Sequence, residues 1–143
     1  VAEKPSYRTA WRQRQFCLVP VERFFEPCWE TGKAVPWSIH RQDGEPFTVA
    51  AIWDRWTERA TGEIVVSFSM LTINADGHPI MGRFHRPGDE RRSLVVVPPS
   101  RWTDWLSATP DTVRAMLAEM PVAEFTSESV MGLSSAPAQA SFL

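Results

Sequence analysis

The chain has 143 residues, enough for one compact domain that buries a core without metals or disulfides. Its composition, 43% hydrophobic and 22% charged, is that of an ordinary globular protein, and a formal charge of −2 argues against indiscriminate electrostatic binding to nucleic acid. Two cysteines, Cys17 and Cys28, make neither a disulfide framework nor a cysteine metal cluster, so a reducing, cytoplasmic setting is expected.

Taken in chain order, residues 1–15 (VAEKPSYRTAWRQRQ) read as a loop followed by a short helix that mixes Tyr7 and Trp11 with Arg8, Arg12 and Arg14. Single-stranded nucleic acid suits such a mixture, because bases stack on rings while guanidinium groups follow phosphates. An exposed polar helix face explains it nearly as well. FCLVPVERFFEP is an apolar stretch interrupted by Pro20 and closed by Pro27. PWSIHR and PFTVAAIW then flank Asp43–Gly44, a hairpin signal. TERATGE connects to IVVSFSMLTI, whose β-branched and aromatic density predicts a strand. RSLVVVPP predicts another, stopped by Pro98 and Pro99. Ser100 is placed to cap a helix with Trp102, Trp105 and Leu106 on one face. Thr109–Pro110 opens a second helix, whose stripe of Val113, Met116, Leu117 and Met120 ends at Pro121. Residues 134–143 are expected to be an irregular tail. The sum is an α+β domain spanning 1–143, with a largely antiparallel mixed sheet and a few segregated helices.

Two positions stand out chemically. Glu26 follows Phe24 and Phe25 and precedes Pro27, and a carboxylate held against aromatics loses hydration, which raises its pKa toward proton-transfer values. The alternative is a surface glutamate at a strand end. His85 lies in GRFHRPGDERR, between two predicted strands, where Arg83, Arg86, Arg91 and Arg92 would form an anion-attracting loop. The alternative is a solvated, charge-rich loop. His40 and His78 have no metal-ligand spacing, so no metal site is assigned. Cys17, among apolar neighbours, reads as a buried structural thiol. No apolar run is long enough to span a membrane.

Several segments in order carry a resemblance. CLVPVERFFEP, PFTVAAIWDRW and SFSMLTINADGHPIMGRFHRPGDERRSLVVVPPSRWTDWL, with VAEKPSYRTAWRQRQ before them, resemble the SOS response-associated peptidase family from Val1 to about Leu106. The resemblance implies a barrel-like arrangement of the sheet. It also implies a DNA-damage-response protein that binds single-stranded DNA and crosslinks to abasic sites through an amino-terminal cysteine, forming a thiazolidine, with self-processing peptidase activity. Glu26 and His85 then match the catalytic residues, Thr72 a site-lining threonine, and Arg8, Trp11, Arg12 and Arg92 DNA-contacting positions. No cofactor is implied. The family's first segment, with its nucleophilic cysteine, is expected to lie outside these 143 residues. Two other readings compete: a non-catalytic module that only binds single-stranded DNA, and an unrelated structural or interaction domain.

Overall fold

The computed structural model describes residues 5–130. Helix α1 (Pro5–Arg12) is followed by strands β1 (Phe16–Val21), β2 (Arg23–Cys28), β3 (Val35–Arg41), β4 (Phe47–Thr57), β5 (Ile64–Met70) and β6 (Thr72–Asn74). After a long loop come β7 (Arg92–Leu94), helices α2 (Trp102–Leu106) and α3 (Pro110–Arg114), and β8 (Phe125–Ser129). All ladders are antiparallel, in three sheets ordered β1-β4-β5, β2-β3-β8 and β6-β7. The α+β class expected from the sequence is therefore found. Among the described residues the sheets do not close into a barrel: β5 ladders only with β4 and β2 only with β3, so both are edges there. The expected irregular tail at 134–143 lies outside the described residues.

Strand β4 organises the molecule. Its run of apolar residues is continuous because successive side chains serve opposite cores. Ala50 and Ile52 enter a first core with Trp11, Phe16, Val95 and Trp105, while Phe47 and Val49 enter a second with Cys28, Ile39, Phe84 and Phe125. The valine run after β7 follows the same rule. Val95 and Val97 face the first core, and Leu94 and Val96 the second. Backbone bonds seat this segment along β4, from the Ala50 amide to the Val95 carbonyl (2.9 Å) and from the Val97 amide to the Thr48 carbonyl (2.9 Å). The indole of Trp105 is fully buried in the first core and donates to the Cys17 carbonyl at 2.9 Å.

Four local expectations are corrected. Asp43–Gly44 does form a turn, with Gly44 at φ +75° and its amide bonded to the Arg41 carbonyl (3.1 Å), but β3 and β4 join different sheets. Turn chemistry fixes the reversal; the partner is chosen by burial, and β4 needs apolar neighbours on both faces. The hairpin that β4 does form is with β5, closed by the 58–63 connection. IVVSFSMLTI breaks at Leu71, whose amide turns to the Ala50 carbonyl (2.8 Å). Ser100 sits inside a 3-10 turn (Pro99–Arg101) and caps nothing; Trp102 and Leu106 stay exposed while Trp105 is buried. Thr109 caps α3 as expected through a reciprocal bond pair with Thr112, yet the helix ends at Arg114, well short of Pro121.

Candidate active site

Glu26 reaches the site because β2 alternates. Phe24, Glu26 and Cys28 share one face, and Phe24 and Cys28 are part of the second core. In register, Glu26 lies opposite Trp37 on β3, so its carboxylate sits at the rim of an aromatic wall. Burial there pushes its pKa above the ordinary glutamate value, and the charge on a protonated His85 pulls it part of the way back.

His85 is brought to the same rim by the chain's return path. Phe84 bridges to Cys28, and the His85 amide donates to the Pro27 carbonyl at 3.1 Å. His85 then adopts φ +72°, a left-handed conformation uncommon outside glycine, which turns the chain away from β2 into the arginine loop. Its Nδ1 lies 3.8 Å from Oε2 of Glu26, with the two side chains 24% and 23% exposed. Its Nε2 meets the Arg92 carbonyl at 3.3 Å. A carbonyl only accepts, so Nε2 carries the hydrogen and Nδ1 faces the carboxylate. A proton can then reside on either the imidazole or the carboxyl group. The gap is slightly longer than a hydrogen bond, a spacing that ligand binding can tighten.

Thr72 and Arg92 form the next layer. The Arg92 guanidinium donates through Nε to Thr72 Oγ1 (2.7 Å), through Nη2 to the Thr72 carbonyl (2.7 Å) and through Nη1 to Glu90 (3.0 Å). Thr72 thus fixes the residue whose carbonyl holds His85. Of the expected site residues, Glu26, His85, Thr72 and Arg92 are joined in one network. Arg8 and Arg12 are exposed on α1, which packs on β4 beside the first core rather than the second. Trp11 is corrected: it is 5% exposed and packs edge-on against Phe16 (5.5 Å), a core position on which no base can stack.

The arginine loop is less open to anions than the anion-attracting loop expected from the sequence. Arg83 forms a forked pair with Glu30 (2.9 and 3.2 Å), which holds that carboxyl below its usual range. The Arg91 side chain donates to the carbonyls of Gly82, Arg86 and Asp89, and so ties the loop to itself. Arg86 extends over the Trp29 ring, 5.8 Å from its centre. Next to His85 lies a cleft of about 340 Å³, whose walls include Trp29, Glu30, Arg83, Pro87 and Arg91. Trp29 and Glu30 were missed in the sequence; a Trp beside the Glu26 segment was the available signal.

The fold has relatives. A solved protein from Bordetella bronchiseptica shares 37% identity and a TM-score of 0.85, covering 90% of this chain and 61% of the other. One from Bacteroides thetaiotaomicron shares 24% (TM-score 0.76, 90% and 54%), and a phage-related protein from B. bronchiseptica 20% (0.64, 91% and 59%); these two show the fold alone. The chain thus spans about three fifths or less of the length of these relatives. No curated protein matches. The family description that matches residues 1–133 is that of the SOS response associated peptidase, and the chain belongs to this SRAP family.

Proposed function

We propose that this chain carries the proton-transfer half of a site that captures abasic sugars in single-stranded DNA. The observation that supports it is the meeting of Glu26 and His85, from distant segments, as a partly exposed acid–base pair at 3.8 Å. The ring-opened abasic sugar presents an aldehyde. A terminal cysteine supplied by polypeptide outside these 143 residues condenses through its amine, the carbonyl oxygen leaves as water, and the thiol adds to the imine carbon to close a thiazolidine. His85 protonates the ring oxygen as the sugar opens. Glu26 takes the proton that the amine sheds and returns it to the departing water. Peptide-bond cleavage that frees the terminal cysteine belongs to the same proposal, with the same pair moving protons.

Neither thiol in the chain replaces that nucleophile. Cys28 is 4% exposed in the second core, out of reach of a substrate, and burial raises the Cys17 pKa, which makes Cys17 a poor thiolate. For the 143 residues alone, this favours binding without crosslinking as the second reading. The test adds an abasic single-stranded oligonucleotide to a chain extended to carry the family's terminal cysteine. The expected product is an adduct that survives denaturation, is lost on Cys→Ala at the terminus, and forms slowly in Glu26→Gln. Wild-type rates in Glu26→Gln and His85→Ala would remove both roles.

A further inference from the structure

The cleft next to His85 has three kinds of wall. Trp29 supplies a partly exposed aromatic face, the Glu30–Arg83 pair supplies an acceptor and donors side by side, and His85 closes one end. Arg83 is itself held, its guanidinium carbon 4.6 Å from the Trp37 ring centre and its nitrogens on Glu30, so this edge is preset rather than mobile. Arg86 sits over the Trp29 ring as an exposed cation. Trp29 follows Cys28, the residue bridged to Phe84, so the aromatic wall and His85 are fixed by the same backbone pairing.

These properties suit one chemical class. A flat, neutral, hydrogen-bonding ring stacks on an indole, and its edge finds both donors and acceptors on a paired carboxylate and guanidinium. A phosphate attached to that ring's sugar would meet Arg86, which can leave the indole face as the incoming ring takes its place. A bare anion fits less well, because Glu30 faces the cleft and shares the Arg83 charge through Nε and Nη2, leaving Nη1 for a ring edge, while Arg91 is bonded to the loop's own carbonyls. The volume, about 340 Å³, lies at the small end of ligand sites.

We propose that the Trp29–Arg83–Glu30 cleft is a subsite for the intact base next to the reactive sugar, stacked on Trp29 with its phosphate on Arg86. This rests on the single-stranded DNA function proposed above. It assigns the cleft to the neighbour of the lesion: the missing base leaves the sugar at Glu26 and His85, and the adjoining base holds the strand in place.

The experiment uses the 143-residue chain and end-labelled single-stranded oligonucleotides carrying one central tetrahydrofuran, a stable analogue of the abasic sugar. Two further oligonucleotides carry a second tetrahydrofuran immediately 5′ or 3′, which deletes one flanking base. Binding is followed by fluorescence anisotropy. Deleting one of the two flanking bases should weaken wild-type binding about tenfold, the scale of one stacked base, and should leave Trp29→Ala unaffected. Trp29→Phe, which keeps a stacking face, should retain most of the wild-type response. Arg86→Ala should weaken binding to every oligonucleotide and lower the salt slope by about one. If Trp29→Ala binds as wild type does, or still responds to the flanking-base deletion, the subsite is overturned while DNA binding stands. If the wild-type chain binds none of the oligonucleotides, the DNA reading fails and takes the subsite with it.

Discussion

Two histidines on one loop-rich stretch show how differently the same side chain can be used. His78 is 3% exposed, and both its ring nitrogens are occupied. Nδ1 accepts from the amides of Ile80 (3.2 Å) and Met81 (3.0 Å), and Nε2 donates to the Met120 carbonyl at 2.7 Å. Two amides on one nitrogen and a carbonyl on the other fix a single neutral tautomer. His85 has one longer bond, to the Arg92 carbonyl, and an Nδ1 that faces a carboxylate across a gap. The first ring is a cross-brace between the 78–82 turn and the approach to β8. The second is held by backbone on one side and left chemically open on the other. On the function proposed above, the contacts of the two nitrogens, more than depth alone, separate a structural imidazole from a proton carrier.

That contrast can be broken by experiment. In a cysteine-bearing chain, His85→Ala should slow adduct formation by about 100-fold or more, the usual scale of a lost acid–base group, with little change in the urea midpoint. His78→Ala should do the reverse. It leaves a buried carbonyl and two amides without partners, costing about 2–4 kcal/mol in urea unfolding, while the adduct rate of the remaining folded protein stays near wild type. A stable His78→Ala, or an unfolded His85→Ala, would erase the distinction. Thr72→Val sharpens it: losing the Arg92 acceptor should cost about 1 kcal/mol, and the adduct rate should fall several-fold through the loosened His85.

The smallest effect is a pH dependence from Glu26. Its pKa is raised in the fold, so the folded state binds more protons than the unfolded chain above pH 4.5, the ordinary glutamate value. Stability contributed at lower pH is therefore lost as pH rises from 4.5 through the raised value. Urea midpoints of Glu26→Gln, set against wild type from pH 4 to 7, should gain relative stability toward neutral pH. A constant difference between the two proteins across that range would contradict the burial of the carboxylate.

Much of the site was legible because its members sit in short, locally unusual contexts. An acid between aromatics and a proline, and a histidine in an arginine-rich loop, are each noticeable, yet each has a structural alternative, and the family resemblance is what singles them out. Their adjacency was not, since it depends on the Cys28–Phe84 bridge and on the backbone turn at His85. The partners of the arginines were hidden for a related reason: Glu30 lies far from Arg83 in sequence, and the carbonyls that engage Arg91 meet it only once the loop has closed. Trp11 shows the limit of pattern, because a helix that mixes rings with cations looks alike whether the rings face bases or a core. In the fold, turns and strands were readable from glycine, proline and β-branched residues, whereas pairing was not. Asp43–Gly44 predicts a reversal correctly and a hairpin wrongly, because strand partners are set by long-range burial.

The division of β4 between two cores governs which changes in length the chain can accept. Adding or deleting one residue between Phe47 and Ile52 would rotate every following side chain to the opposite face, sending Ala50 and Ile52 toward Phe125 and Val49 toward Trp105. No local repacking restores both sides at once. The 58–63 connection at the far end of the same strand has no such obligation, since most of its residues face solvent. Peptide tags or spectroscopic probes belong there, and natural length variation among relatives should concentrate at that tip.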